Sequence, residues 1–181
     1  MTERLTLAEK IQAIHLALID VPHAFGGALA LAYYAEPRAT IDIDLNVFVT
    51  ANELEAVVAP LVALGADIDD AVTTLVQRDG QVRIYWQDTP VDLFFAYDPF
   101  HQAMSQARRN VPFADGSIAV LSPEHLIVCK AVFNRPKDWV DIDAMAELGA
   151  NLEVAEILRW MGRLVGDDDP RYDRVASVIT R

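Results

Sequence analysis

Acidic and apolar residues alternate through Thr40-Ile41-Asp42-Ile43-Asp44-Leu45, one short helix after the pair Gly26-Gly27. An extended strand points successive side chains to opposite faces, so Asp42 and Asp44 share one face while Ile41, Ile43 and Leu45 share the other. One face can be buried and the other carries paired charge. Two carboxylates roughly 6 to 7 Å apart between Cα atoms repel each other unless a cation lies between them. Magnesium suits such a pair, since it takes hard oxygen ligands from one or two carboxylates together with substrate phosphates. An isolated Asp-x-Asp is also an ordinary turn or cap pair. The surrounding residues favour metal-assisted, phosphoryl-type transfer.

With 181 residues and 52% hydrophobic content the chain can bury a proper core. It is expected to divide into a core of residues 1–121 and a helical C-terminal region, 122–181, packed on that core. A formal charge of −12 argues against broad, nonspecific binding to nucleic acid or anionic membrane. The single Cys129 reads as a small buried hydrophobe and cannot form an internal disulfide, so a reducing compartment is expected. No stretch reaches the length needed to span a bilayer, and Met1-Thr2-Glu3-Arg4-Leu5 lacks a basic start followed by an apolar run. The expected location is cytoplasmic.

Thr6 and Glu9 form a capping-box signature at the head of an amphipathic helix over residues 6–20. A strand, the glycine turn and a helix over Ala28–Tyr34 follow, then Pro37 and a strand over Ile41–Val49. A helix over 51–64 stops at Gly65. Ala71–Gln77, Gln81–Trp86 and Val91–Ala96 read as three consecutive strands, with Asp79-Gly80 as a hairpin turn. Asp98-Pro99 opens a helix to about Arg109, and a short ribbon is expected around Phe113–Ile118. Ser122-Pro123-Glu124 opens another helix, broken by Pro136; helices resume near Asp138 and run toward the end.

Gly26-Gly27 can bring backbone N–H groups close to a phosphate at a helix start. Asp92, in Pro90-Val91-Asp92-Leu93-Phe94-Phe95, is a third acid among apolar residues and needs a partner. Lys130 lies in an apolar helical stretch, so its ammonium must reach solvent, a carboxylate or a phosphate. Asp138 reads as a cap, Asp141 as a partner for Lys130 or Arg135 or as a group that helps position the acceptor, and Asp143 as peripheral. His15, His23, His101 and His125 have no zinc-ligand spacing. Trp86, Trp139 and Trp160 read as core residues, and 166–170 as a solvated helix junction.

In its glycine pair, helix, Asp-x-Asp strand and later acidic strand, the chain resembles the nucleotidyltransferase superfamily. Arg38-Ala39-Thr40-Ile41-Asp42-Ile43-Asp44 and the stretch from Lys130 to Asp143 are similar to the AbiEii-type toxin branch. The resemblance implies an α+β fold, with a mixed β-sheet flanked by helices and a C-terminal helical region. It implies transfer of a nucleoside monophosphate from an NTP such as ATP to an acceptor hydroxyl. Asp42, Asp44 and Asp92 would hold two Mg2+ ions, with Lys130 beside them in catalysis. Gly26, Gly27, Arg38, Thr40, Lys130, Lys137 and Asp141 would contact the nucleotide, with Arg135 a further candidate cation.

The favoured expectation is a toxin-like enzyme acting on tRNA 3′ ends and restrained by an antitoxin protein. Arg38, Arg78, Arg83, Arg108, Arg109 and Lys137 could build a groove for RNA. The alternative is an adenylyltransferase for small polycationic acceptors of the aminoglycoside type, which the acidic charge suits. A catalytically silent binding protein with the same fold is the third reading, weakened by the presence of all three acids.

Overall fold

The computed structural model describes residues 4–147 and 151–181. Its contacts gather into two units, Met1–Gly26 with Ala39–Val120, and Gly27–Arg38 with Leu121–Arg181.

In the first unit, α1 (Leu7–Ala17) precedes β1 (His23–Phe25). In the second, α2 (Gly27–Leu31) is a helix of little more than one turn. The first unit resumes with β2 (Ile43–Val47), a 3-10 turn (Ala51–Glu53), α3 (Leu54–Ala63), α4 (Ala71–Asp79), β3 (Gln81–Trp86) and β4 (Thr89–Phe95). It ends with α5 (Pro99–Ala107) and the ribbon of β5 (Arg109–Phe113) and β6 (Gly116–Val120). The second unit continues with α6 (Pro123–Phe133), α7 (Pro136–Glu147), α8 (Val154–Leu164) and α9 (Pro170–Ile179). The architecture is mixed α+β, as expected.

Among the described residues the sheet has six strands in the order β3-β4-β2-β1-β6-β5. β2 runs parallel to β4 and antiparallel to β1, and β3 and β4 form an antiparallel hairpin. The period-two pattern sorts the central strands into two faces. Val82 pairs with Leu93 and Ile84 with Val91, while Val91, Leu93 and Phe95 pair with Ile43, Leu45 and Val47; all are buried, as is Trp86. Arg83, Asp92 and Asp44 alternate with them on the opposite face. Lys10 of α1 is also buried and donates to the Trp86 carbonyl at 3.0 Å and to Thr89 Oγ1 at 2.8 Å, tying the helix to both ends of the hairpin turn.

In the second unit α6 is buried on nearly every side, and α2, α7, α8 and α9 all contact it. Ser122 caps its start, and Asn134 closes it in the left-handed region while accepting from Trp139 Nε1 at 2.8 Å.

The Thr6–Glu9 capping box, the Asp98 and Ser122 caps and the stop at Gly65 form as the sequence indicates. Asp169 caps α9 in the junction after α8, and the three tryptophans are buried.

Several expectations are corrected. Ala71–Gln77 is not a strand: Val72 and Val76 sit one helical turn apart and are the buried face of α4. Asp79-Gly80 is therefore the end of that helix, with Gly80 at φ +67°, and the hairpin turns at Gln87-Asp88 instead. Ile41 precedes β2 and is 73% exposed instead of sharing its buried face. The helix after the glycine pair ends at Leu31 and not at Tyr34. α7 starts at Pro136, before Asp138, because proline is favourable in a first turn that leaves its missing N–H unneeded. Cys129 is only partly buried. Among the described residues no helix is long and apolar enough to cross a membrane.

Candidate active site

The parallel register of β2 and β4 places Asp44 directly beside Asp92, and the β3–β4 hairpin places Arg83 beside Asp92 on the other side. Neighbouring strands lie about 4.8 Å apart, so the three side chains form a row across the sheet. The row continues past Asp44 to Gly26, whose N–H donates to the Asp44 carbonyl at 2.9 Å, just beyond the Phe25–Leu45 pair. Gly26 has no side chain to cover the ground next to Asp44. Its own N–H is thus committed to the sheet. Gly27, at φ +52°, takes a conformation that L side chains rarely adopt and turns the chain sharply out of β1.

Asp42 lies just before β2, on the approach to the row. The Thr40 hydroxyl brackets its backbone, accepting from the Asp42 N–H at 3.2 Å and donating to the Asp42 carbonyl at 3.3 Å. Thr40 thereby fixes the loop that delivers Asp42.

Arg83 binds Asp92 through two parallel bonds, Nε to Oδ1 and Nη2 to Oδ2, each 2.7 Å. The same Nη2 lies 3.7 Å from Asp42 Oδ2. Those bonds to Asp92 raise the Arg83 guanidinium above its ordinary value, outweighing its burial, and the Asp42 charge adds to the effect. The side chains of Asp42 and Asp92 are 33% and 20% exposed, so the acids are reachable from solvent.

By donor type, carboxylates in register fit a hard divalent ion. By arrangement, no group of three His, Cys, Asp or Glu among the described residues is drawn together as a ligand cluster, and both Asp92 oxygens are turned to Arg83. A cavity of about 600 Å3 in the same unit is lined by Thr50, Asn52, Gln77, Arg78, Phe95 and Tyr97 among others, and by none of the three acids.

The remaining candidates belong to the second unit. Lys130 is 4% exposed and donates to Asp141 Oδ2 at 2.6 Å, with Asp138 at 4.0 Å. Arg38 grips the same Asp141 carboxylate from its other side, at 3.1 and 3.0 Å. Burial pushes the Asp141 carboxyl up, but the hydrogen bonds from Arg38 and Lys130 outweigh it and hold the group below the ordinary carboxylate range. Asp138, fully buried, accepts from the Arg135 backbone and side chain. Lys137 and Arg135 are exposed, and Asp143 pairs with Arg181 at the surface. The structure therefore joins Gly26, Asp42, Asp44 and Asp92 in one neighbourhood and Arg38, Lys130 and Asp141 in another.

Arg83 is the residue whose role the sequence reading missed. Asp92 among apolar residues needs a partner, and the hairpin supplies it: a turn centred on Gln87-Asp88 pairs residues 83 and 92. Of the cations proposed for an RNA groove, Arg78 pairs with Asp79, Arg83 with Asp92, and Arg108 with the Ser105 carbonyl and hydroxyl.

The fold is that of nucleotidyltransferases. A solution structure of the antibiotic-resistance factor ANT(2″)-Ia is similar at a TM-score of 0.56 and 15% identity, covering 96% of this chain and 90% of that one. A crystal structure of ANT(2″)-Ia in complex with adenylyl-2″-tobramycin gives 0.57 and 16%, covering 97% and 98%. No curated protein matches the chain. Residues 17–178 match the family described as nucleotidyl transferase AbiEii toxin, type IV TA system, and with nearly the whole chain inside that match the protein belongs to the AbiEii family of nucleotidyl transferase toxins.

Proposed function

We propose that the protein is a divalent-metal-dependent nucleotidyltransferase whose acid row directs a nucleoside monophosphate from an NTP, such as ATP, onto the 3′ end of tRNA. The observation that carries the metal-site assignment is the Asp44–Asp92 register, which sets two carboxylates side by side on a solvent-reachable face with Asp42 just upstream.

Mg2+ held by Asp42, Asp44 and Asp92, as one or two ions, would supply charge neutralisation for the triphosphate and for the leaving pyrophosphate. The acceptor oxygen attacks the α-phosphorus, a P–O bond to it forms, and the bond to the β-phosphate oxygen breaks. Pyrophosphate leaves with that bond's electron pair. Through such an ion Asp44 and Asp42 would orient the triphosphate, and Asp92, once its oxygens are released from Arg83, would receive the acceptor's hydroxyl proton. Gly26 itself adds no side chain next to Asp44. In the second unit Lys130 acts as a positioning residue, holding Asp141 and through it Arg38. The family's type IV toxin–antitoxin assignment supports a toxin role and an antitoxin partner.

A second reading, a small polycationic acceptor, is favoured by one specific observation. The first unit carries fifteen acidic and six basic residues, against twelve and nine in the second. A net negative charge on the unit that carries the row attracts cationic acceptors and repels nucleic acid. The neighbour bound to adenylyl-2″-tobramycin acts as precedent for such an acceptor on this fold.

Incubating the protein with labelled NTPs, Mg2+ and either total tRNA or aminoglycosides separates the two. Labelled tRNA supports the first reading and labelled aminoglycoside the second. Asp44→Asn and Asp92→Asn should each lower transfer by about 100-fold or more, the scale of losing one preorganised electrostatic group. Transfer that survives both substitutions removes the row from the chemistry.

A further inference from the structure

Arg83 sits where a second cation would be needed. It closes a row in which a guanidinium, a carboxylate and a second carboxylate stand on three adjacent strands, and it reaches across to a third acid ahead of β2. Both Asp92 oxygens are engaged by its fork, and the arm nearest Asp42 leaves only 3.7 Å between the charges. A fork of this type satisfies a carboxylate in direction as well as in charge. A divalent ion binding Asp92 must therefore take oxygen lone pairs that Arg83 holds, and must accept a unit positive charge a few ångströms away unless Arg83 swings out. The Arg83 side chain is 47% exposed, so solvent is open to it when released.

We propose that Arg83 is a tethered counterion that occupies the Asp42/Asp92 cation position in the resting protein and limits divalent-ion binding to the Asp44 side of the row until it is displaced. The inference rests on the metal-dependent reading above and deepens it. Arg83 is a positioning residue for the reaction: it keeps Asp92 aligned in the sheet and governs when Asp92 becomes available to an ion or to an acceptor proton. Because the contact is an exchange between cations, its strength is read in ion affinity and stoichiometry, neither of which a purely scaffolding arginine would control.

The test is a Mn2+ titration of the full chain without nucleotide, following free Mn2+ by electron paramagnetic resonance. The wild type is expected to bind one equivalent. Arg83→Gln is expected to bind a second equivalent, or to bind Mn2+ at least about tenfold tighter, since a competing unit charge in direct contact with the ligands has gone. Adding Asp92→Asn to Arg83→Gln should abolish the gain. Arg78→Gln is the control, because it removes an equal charge from an Asp-paired arginine of the same unit without touching the row. Arg83→Lys, which keeps the charge and loses the fork, should fall between wild type and Arg83→Gln and shows that the scaffold tolerates change at this position.

Arg83→Gln that titrates like the wild type overturns the proposal alone, as does a gain matched by Arg78→Gln. Mn2+ binding by neither protein overturns this proposal, and the metal-dependent reading falls with it only where transfer also survives removal of the metal by EDTA. Nucleotide transfer measured on the same samples keeps the two failures apart.

Discussion

Asp141 is the residue on which the second unit's polar interior depends. Its carboxylate accepts from buried Lys130 and from Arg38, so one side chain neutralises two cations. Asp141→Asn leaves the buried Lys130 with Asp138, at 4.0 Å, as its one carboxylate neighbour among the described residues, and breaking a buried pair from one side is costly. The expected loss is on the order of 3 kcal/mol, read as a lower urea midpoint with unchanged slope. Combining Asp141→Asn with Lys130→Met should restore part of it, since the stranded charge is then gone; a double variant no better than the single one contradicts this account. The sign with pH follows from a folded carboxyl held below its ordinary value. Its stabilisation is present above the unfolded carboxyl's range near pH 4 and is lost as pH falls through the lower, folded value. Acid unfolding of Asp141→Asn should therefore lack the component that wild type loses below about pH 4.

At the scale of elements, the junction of α4 and β3 shows both what the chain spells out and what it hides. The residues after Ala71 are Val, Thr, Thr, Leu and Val, whose intrinsic preference is for strands, and tertiary burial of Val72 and Val76 one helical turn apart overrides it. Asp79-Gly80 reads equally well as a hairpin turn or a helix end, and a following strand that starts at Val91 and not at Thr89 leaves a longer connection in which the register pairing Arg83 with Asp92 is not visible. The Asp-x-Asp strand was legible because alternation needs no partner to be seen, and the caps because their side-chain bonds are local. Cross-strand register is not local, so the partner of Asp92 could not be read without the correct turn. The same junction gives a prediction. Gly80 holds φ +67°, and a Cβ there would lie 2.8 Å from the Tyr97 ring. Gly80→Ala should cost about 1 to 3 kcal/mol in denaturant melts, from backbone strain and the displaced ring together. A neutral result would mean that α4 does not end as described.

Across the whole chain, charge and protonation set the conditions under which it works. All four histidines are held below their ordinary value, with burial the leading cause at each. His23 shows the geometry: its Nδ1–H donates to the Val21 carbonyl at 2.6 Å, which leaves Nε2 to accept from His15 Nδ1–H at 2.9 Å. A proton added to His23 Nε2 would face that donor. Because the unfolded chain binds these protons first, the stabilisation is complete above the unfolded histidine range near pH 6.5 and is lost as pH falls through the lower folded values. Thermal stability should therefore decline between about pH 7 and 5, and less steeply in His23→Gln.

The net charge of −12, concentrated in the unit that carries the acid row, makes the ionic-strength dependence of acceptor use diagnostic. A polycationic acceptor is drawn by that field, and raising salt from about 50 to 300 mM shortens the Debye length from roughly 14 to 6 Å, so its KM should rise about tenfold. For tRNA two effects oppose each other: salt weakens any local phosphate contacts and also screens the repulsion between two polyanions. Arg78, Arg83 and Arg108 are already engaged within the first unit, which leaves few contacts there to lose. The KM for tRNA should then change by less than about threefold over the same range, far less than for a basic protein releasing several counterions. A steep loss of tRNA use with salt would show that cationic residues other than these three arginines, such as Arg109 or Lys137, carry the RNA.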